Sequence, residues 1–297
     1  MRVKKQKEKQ MKPSVQNRSA GGEIWHRFKK NKGAMAGLFV LIVLILIALT
    51  VDLWLDQELV IGQNLKEKLQ HPNAKHWFGT DEMGRDLFWR TVYGTRFSMA
   101  IGFVAVIISA IIGVPLGAAA GYYGGKLETV IMRITDIFSA IPSILMAIAI
   151  VSLLGRTTAN LMLAVGIAAV PQFTRITRAA VLTVKNAEYV EAARALGKTD
   201  AYIIFVHILP NCLSPIIVQV TLRVAGAIIS ASSLSFLGVG IKPPTPEWGS
   251  LLTAGKTYIM GYSYLCLFPG LAIMLTVLAF NMVGDGLRDA MDPKLKN

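Results

Sequence analysis

The sequence predicts an all-α membrane protein with six transmembrane helices. Of its 297 residues, 53% are hydrophobic and only 16% are charged, whereas a soluble domain carries about 25% charged residues. The apolar residues also form long runs, and a helix needs about 20 of them to cross a bilayer. A third observation, a group of basic residues ahead of the first run, predicts the orientation.

The six spans are expected at residues 35–55, 97–120, 130–154, 158–175, 213–237 and 264–284. An even number of spans places both termini on the same side of the membrane. Eleven of the 31 lysines and arginines lie in residues 1–33, and positive charges favour the cytoplasmic side. We therefore expect both termini in the cytoplasm. The net charge of +13 is attributed to this topology and to contact with lipid, and no nucleic-acid partner is expected.

Small and helix-breaking residues mark the second and third spans. Gly113, Gly117 and Gly121 recur at intervals of four, so they share one helix face that permits close contact with another helix. Pro115 and Pro142 each interrupt the helical hydrogen-bond ladder. Such breaks serve either transport or structure alone, and the sequence does not decide between the two.

The fifth span contains a charged residue, Arg223, near its middle. A central arginine costs about 2.5–3.5 kcal/mol on insertion scales, so we expect it to face protein or water. Gln219, one turn away, is expected on the same face. One hypothesis places both residues on a translocation path, where Arg223 meets a substrate carboxylate. The alternative is a structural pairing with an acidic group on a companion subunit.

Other polar residues receive simpler interpretations. Arg133 and Asp136 are expected to form a local ion pair. Cys212 and Cys266 are predicted near opposite membrane faces, too far apart for a disulfide. The sequence has neither paired metal-ligand motifs nor a histidine cluster, so no metal site is predicted.

The loop at residues 186–210, between the fourth and fifth spans, is amphipathic. Glu188, Glu191, Arg194 and Lys198 form one polar stripe at helical spacing, while Val190, Ala193 and Leu196 lie elsewhere on its surface. Gly197 is a natural helix stop, Thr199 or Asp200 caps a second helix, and Pro210 is expected to end it. Two short helices at a glycine corner would either dock into a soluble partner or lie in the membrane interface.

This loop resembles the EAA motif of permease subunits of ABC importers. The resemblance rests on Glu191-Ala192-Ala193, Gly197 and Leu209-Pro210 at the family spacing, with His207 where the motif has isoleucine. It implies that residues 186–210 form a coupling loop, which we name so hereafter. The loop would sit in a cleft of an ATP-binding subunit and transmit its closure.

Three further segments, at residues 78–86, 235–249 and 281–293, are similar to the dipeptide, oligopeptide and nickel permease subfamily. The resemblance implies the type I ABC importer permease fold, in the multi-pass second permease of a pair, in a bacterial cytoplasmic membrane. It also implies a homologous permease, two ATP-binding subunits and an extracytoplasmic solute-binding protein as partners. Peptides are the expected substrates, and nickel or a metal chelate is the alternative.

On this basis the chain divides into four parts. They are a basic cytoplasmic segment at 1–33, the first transmembrane helix with an extracytoplasmic loop at 34–96, a permease core of five helices at 97–286, and a cytoplasmic tail at 287–297.

The sequence does not supply an ATPase of its own. A P-loop needs a glycine five residues before its Gly-Lys-Ser/Thr triplet, but Ala192 and Ser250 stand there ahead of the two Gly-Lys-Thr triplets. We therefore expect a transport subunit rather than an enzyme. No cofactor is expected in this chain, because ATP and magnesium would bind to the partners. A secondary transporter is disfavoured, because the spans are nearly free of the acidic residues that ion coupling uses.

Overall fold

The computed structural model describes residues 20–292, and within this range the regular secondary structure is helical apart from one isolated β-bridge between Thr80 and Asp86. The predicted segments at 1–33 and 287–297 lie partly outside it. The helices are α1 Ala20–Lys30, α2 Lys32–Trp54, α3 Gln57–Ile61, α4 Leu87–Tyr123, α5 Gly125–Ala140, α6 Ser143–Leu154, α7 Thr158–Val184, α8 Glu188–Ala195, α9 Asp200–Tyr202, α10 Leu209–Asn211, α11 Leu213–Phe236, α12 Trp248–Lys256 and α13 Tyr264–Met291.

Five of these helices, α2, α4, α7, α11 and α13, are long and apolar enough to cross a membrane. The sixth predicted span, at 130–154, is not continuous, because α5 and α6 meet at an angle of 86°. Pro142 explains the break, since it has no N–H to donate and it keeps the preceding residue extended. Ile141 accordingly has φ −87° and ψ 125°. The count of six spans holds only if this bent pair is one span.

Several helices extend beyond the predicted spans. Helix α4 has 37 residues, about 55 Å at 1.5 Å per residue, and begins ten residues earlier than expected. Its start is set by Asp86, whose side chain accepts hydrogen bonds from the backbone N–H groups of Phe88 and Trp89. The helix continues through Pro115, which therefore does not end it. Hydropathy located the apolar interior of each helix but not its polar ends.

The predicted glycine face of α4 packs directly on α7. A Cβ placed on Gly113 would lie 2.6 Å from the Cβ of Phe173, and one on Gly121 would lie 2.8 Å from the Cβ of Val181. Such distances leave no room for a side chain. The two helices thus form a close-packed pair, and the prediction of a contact face is confirmed.

The N-terminal helices pack against α13. A Cβ on Gly37 of α2 would lie 2.8 Å from the carbonyl oxygen of Ala279, and the buried Phe28 of α1 packs close to Gly286. Arg27, Asn211 and Arg288 line one cavity of about 520 Å³. Helix α1, the end of α13 and the coupling loop therefore lie at the same end of the bundle, which we call the loop end.

The opposite end is covered by residues 62–86 and 238–263, which together we call the cap. At its centre Asp81 accepts hydrogen bonds from the backbone N–H groups of Met83 and Arg85, both at 2.9 Å, and from Nε of Arg85 at 2.7 Å. Nε of Arg90 lies 3.5 Å from the same carboxylate. All three charged side chains are buried, so the segment at 78–86 is a folded turn held by an internal ion network.

The second half of the cap is held by Glu247 and Trp248. Glu247 caps α12 by accepting from the N–H groups of Gly249 and Ser250, and it also accepts from the hydroxyl of Ser235. Trp248 donates its backbone N–H to Oγ of Ser98 and its indole N–H to the carbonyl of Thr91. These bonds tie α12 to α4 and α11. Burial raises the pKa of Glu247, although three donors favour its charged form.

Candidate coupling surface and translocation cavity

The coupling loop forms two helical segments at a glycine corner, as predicted. Helix α8 ends at Ala195, and Gly197 has φ +70°, a conformation that glycine adopts without steric cost. The side chain of Thr199 then caps the next segment by accepting from the N–H of Tyr202. Sequence reasoning located this corner because a glycine stop and a threonine cap are local signals.

The second segment ends at Asn211, one residue after the predicted Pro210, but it is not a regular α-helix. The chain is π-helical from Ile203 to Ile208 and continues through α10, with the N–H of Leu209 donating to the carbonyl of Ile204, five residues earlier. A π-turn is a common way to absorb an interruption in an α-helix. Pro210 supplies no donor, and the side-chain amide of Asn211 donates to the carbonyl of His207 instead, at 2.6 Å.

The inner face of the coupling loop is packed against the helix bundle. Val190, Ala193, Ile203 and Ile208 are buried in one cluster with residues of α4, α7 and α11, including Val181. Val190 and Ala193, which lie off the predicted polar stripe, are buried because the loop folds back on the bundle.

The outer face of the coupling loop remains exposed. Glu191, Ala192, Gly197 and Pro210 are all exposed, whereas Ala193 is buried and Leu209 is half-buried. Of the six predicted coupling residues, four thus face outward and two anchor the loop. The largest exposed apolar side chains on this face are Leu196, 77% exposed at the corner, and Phe205, 64% exposed.

Polar contacts tie the coupling loop to the end of α4. The hydroxyl of Tyr122 donates to Oδ1 of Asp200 at 2.7 Å, and the guanidinium carbon of Arg194 lies 5.7 Å from the centre of the Tyr122 ring. Nζ of Lys185 donates to the carbonyl of Gly121. His207 is half-buried beside the ring of Tyr202, with ring centres 5.5 Å apart. Polar contacts therefore hold the loop against the end of α4 in addition to the buried packing.

A second candidate site lies at the elbow between α5 and α6. A cavity of about 130 Å³ opens there, bounded by the start of α6, the middle of α7 and the middle of α11. Its polar lining consists of Ser143, Gln172, Arg223 and Ser230. Arg223 is ten residues from the start of α11, about 15 Å along the helix axis, and so lies near the middle of that 24-residue helix.

The structure separates the two predicted path residues. Arg223 lines the cavity, but Gln219 does not; it is 8% exposed, and its side-chain nitrogen has no hydrogen-bond partner within the described residues. Residues four apart on a helix differ by about 40° in direction, which here places one in the cavity and the other among packed side chains. The sequence did not identify Gln172 and Ser143 as cavity residues. The available signal was that each directly follows a proline, which interrupts the helical hydrogen bonds.

The expected Arg133–Asp136 pair is not formed. Asp136 instead accepts a hydrogen bond from Arg175 of α7 at 2.8 Å, and Arg178 donates from Nε to Glu128 at 2.6 Å. Both pairs join α5 to α7, because the 86° bend leaves α5 lying along the loop-end half of α7. Neighbouring helices thus supplied partners that sequence spacing could not show.

No group of three or more potential metal-ligating side chains occurs in the part of the chain that the structure describes. Cys212 and Cys266 are both free thiols, at the starts of the spans α11 and α13 and so at opposite ends of the bundle.

Comparison with known proteins agrees with this architecture. Residues 113–297 match the family described as binding-protein-dependent transport system inner membrane component, and residues 19–72 match the N-terminal transmembrane domain of oligopeptide transport permease C. A chain of the MetNI methionine ABC transporter in an inward-facing conformation has a TM-score of 0.58 at 20% identity, over 69% of this chain and 98% of that one. This likeness shows the type I ABC importer permease fold.

Relatives match over most of the chain. A dipeptide transport system permease protein DppC from Alkalihalophilus pseudofirmus is 48% identical over 93% of this chain and 90% of its own. A glutathione transport system permease protein GsiD from Pectobacterium atrosepticum is 45% identical over 93% and 91%. With several apolar helices, the fold of an importer permease and these relatives, the chain is a multi-pass bacterial inner-membrane transport subunit rather than an enzyme, and it belongs to the family of binding-protein-dependent transport system inner membrane components.

Proposed function

We propose that this chain is one of two permeases of an importer that carries peptides into the cell, driven by ATP hydrolysed on separate subunits. The observation that carries the proposal is the coupling loop, which exposes its outer face and is held against α4 by a hydrogen bond and by buried packing. The relatives named for dipeptide and glutathione transport support a peptide substrate.

In this proposal the loop end faces the cytoplasm, with both termini and the coupling loop on that side. The basic residues of α1 and the preceding segment support this orientation. The cap then faces outward, where it meets a solute-binding protein. ATP and magnesium bind to the two ATP-binding subunits, and a homologous permease completes the path.

The coupling surface explains how ATPase closure reaches the membrane. Leu196 and Phe205 present apolar surface to a cleft of the ATP-binding subunit, and Glu191 and Ala192 flank it. Because Asp200 and Arg194 are tied to Tyr122, a displacement of the loop displaces α4. Since α4 is packed on α7 without intervening side chains, both helices move together, which permits alternating access.

In the same proposal the cavity at the elbow is part of the translocation path. Arg223 lines this cavity, whereas Gln219 is buried in the wall of the path. An ionisable residue inside a membrane protein is by default a functional-site hypothesis, and its position at mid-span fits a path that opens alternately to each side.

The proposal is tested by reconstituting the transporter in proteoliposomes with its binding protein and measuring peptide uptake and ATP hydrolysis together. Glu191→Lys should leave complex yield unchanged but uncouple hydrolysis from uptake, because it alters only the exposed docking face. Glu58→Lys, an equal charge reversal in α3 at the cap end, is the matched control and should retain coupled uptake.

Two outcomes would contradict the proposal. Coupled uptake at the normal rate with Glu191→Lys would remove the docking role of the loop. Uptake that persists without ATP but collapses with a protonophore would show an ion-driven carrier instead.

A further inference from the structure

The elbow cavity contains a cation without a counter-ion. Arg223 is half-buried and has no hydrogen-bond or ion-pair partner within residues 20–292. It is also the only charged residue that lines the cavity there. The two nearby arginines of α7 are different, because Arg175 is paired with Asp136 and Arg178 with Glu128. An unpaired guanidinium at this depth is costly, so a role that uses its charge is expected.

The neutral polar groups around Arg223 are also available. Serine and threonine hydroxyls within helices often donate to the carbonyl four residues earlier, as Ser233 does to Ile229 at 2.8 Å. Neither Ser230 nor Ser143 makes such a bond within the described residues. Gln172 adds an exposed side-chain amide. Four side chains that can donate hydrogen bonds therefore line one small space.

The charge and size of the cavity define what it can hold. A positive, donor-rich lining favours an anion and repels a free metal cation. Its volume of about 130 Å³ corresponds to roughly four waters at about 30 Å³ each. This space accepts a carboxylate and its α-carbon, and because the cavity is open the rest of a peptide can extend beyond it.

We propose that Arg223, Gln172, Ser143 and Ser230 form a carboxylate-binding subsite on the translocation path. The subsite binds the terminal carboxylate of a peptide. Its hydrogen bonds replace those that the carboxylate made to water before the peptide entered the membrane. This inference rests on the proposed function, and it names the substrate class as a carboxylate-bearing peptide rather than a bare divalent cation.

The test uses the complete transporter in proteoliposomes, with the dipeptide alanyl-alanine supplied through the solute-binding protein. Gln172→Glu is nearly isosteric and adds a negative charge beside Arg223, so uptake should fall by about tenfold or more. Gln172→Met has a similar shape, loses the amide donor and adds no charge, so uptake should fall but by less than with Gln172→Glu.

Arg223 is tested by a second pair. Arg223→Gln should lower uptake by at least about tenfold, while Arg223→Lys should retain more, because the charge is kept but the bidentate geometry is lost. Complex yield should stay at the wild-type level, which separates loss of substrate binding from loss of assembly. Ser230→Ala should reduce uptake more than Ser233→Ala, the matched control, because Ser233 does not line the cavity and its hydroxyl donates to the carbonyl of Ile229.

The outcomes separate the inference from the function on which it rests. Failure of the wild-type complex to take up any peptide would overturn both. Peptide uptake that is unchanged by Gln172→Glu and Arg223→Gln would overturn the subsite alone. Low complex yield with normal turnover per complex in Arg223→Gln would show a structural partner on the companion permease, and it would also overturn the subsite.

Discussion

The cap and the coupling loop are both built from residues that resemble family motifs, yet they use those residues in opposite ways. In the cap, Asp81, Arg85, Glu247 and Trp248 are all buried, and their polar atoms are directed inward. In the coupling loop, Glu191, Ala192, Gly197 and Pro210 are exposed. A motif in the cap therefore holds the fold together, whereas a motif in the loop presents a surface.

The physical difference lies in where the hydrogen bonds are satisfied. In the cap, Asp81 and Glu247 each accept three hydrogen bonds from neighbours within the chain. The outer face of the loop leaves apolar side chains without cover at its corner. Substitutions in the cap should thus affect stability first, and substitutions in the loop should affect coupling first.

The largest effect is expected for Asp81→Asn in the cap. The change removes the counter-charge of two buried arginines, Arg85 and Arg90, and breaking a buried ion network by removing one partner costs about 3–5 kcal/mol. Thermal unfolding and yield of the purified complex measure it. Asp52→Asn is the control, because the Asp52–Arg96 pair is about half exposed and such pairs contribute about 0–1 kcal/mol. Equal effects of the two changes would contradict the role given to Asp81.

Leu196→Asp should have the next largest effect, and on coupling rather than on stability. Leu196 makes the corner of the loop and is 77% exposed, so a charge there costs the isolated subunit almost nothing. In the assembled complex it would bury an unpaired carboxylate in the docking cleft, and we expect uptake to fall by about tenfold or more. Unfolding of the free permease should not change. A loss of stability in the free subunit would show that the corner packs internally.

These two regions also show how much of the structure can be predicted from the sequence. The spans, the glycine face of α4 and the Gly197 corner are local patterns, and each was predicted. The 86° bend at Pro142 was not predicted. A proline indicates that the helical hydrogen bonds are interrupted, but it does not determine the angle between the two helices that it separates. The partners of Asp136, the burial of Val190 and the convergence of Gln172 on Arg223 arise from contacts between distant segments, which no spacing in one helix encodes.

A smaller effect, on how the stability of the protein depends on pH, is expected from Glu247. Burial raises the pKa of this carboxyl in the folded protein, while in the unfolded chain it stays near about 4.3. Between the two pKa values the folded state binds more protons than the unfolded state, so this contribution to stability is fully present below about pH 4.3 and is lost as pH rises through the folded pKa. The melting temperature of wild type should fall as the pH rises above about 4.3.

Glu247→Gln removes the titrating group and should flatten that slope, even though it loses one accepted bond and lowers stability at acid pH. The comparison of slopes, rather than of single melting temperatures, is the measurement. Parallel slopes for the two proteins would show that Glu247 remains ionised in the cap and that its three donors outweigh burial.

The smallest effect is expected for Tyr122→Phe, which tests the connection between the loop and α4. The change deletes the hydroxyl that donates to Asp200 but keeps the ring beside Arg194, so the lost bond is worth about 0.5–1.5 kcal/mol. Stability should scarcely change. More ATP should be hydrolysed per peptide imported, because one contact that transmits movement of the loop to α4 is lost. Tyr123→Phe, an exposed neighbour on the same helix, is the matched control. An unchanged ratio of ATP to peptide in both variants would mean that the buried cluster of Val190, Ile203 and Val181 transmits the motion by packing alone.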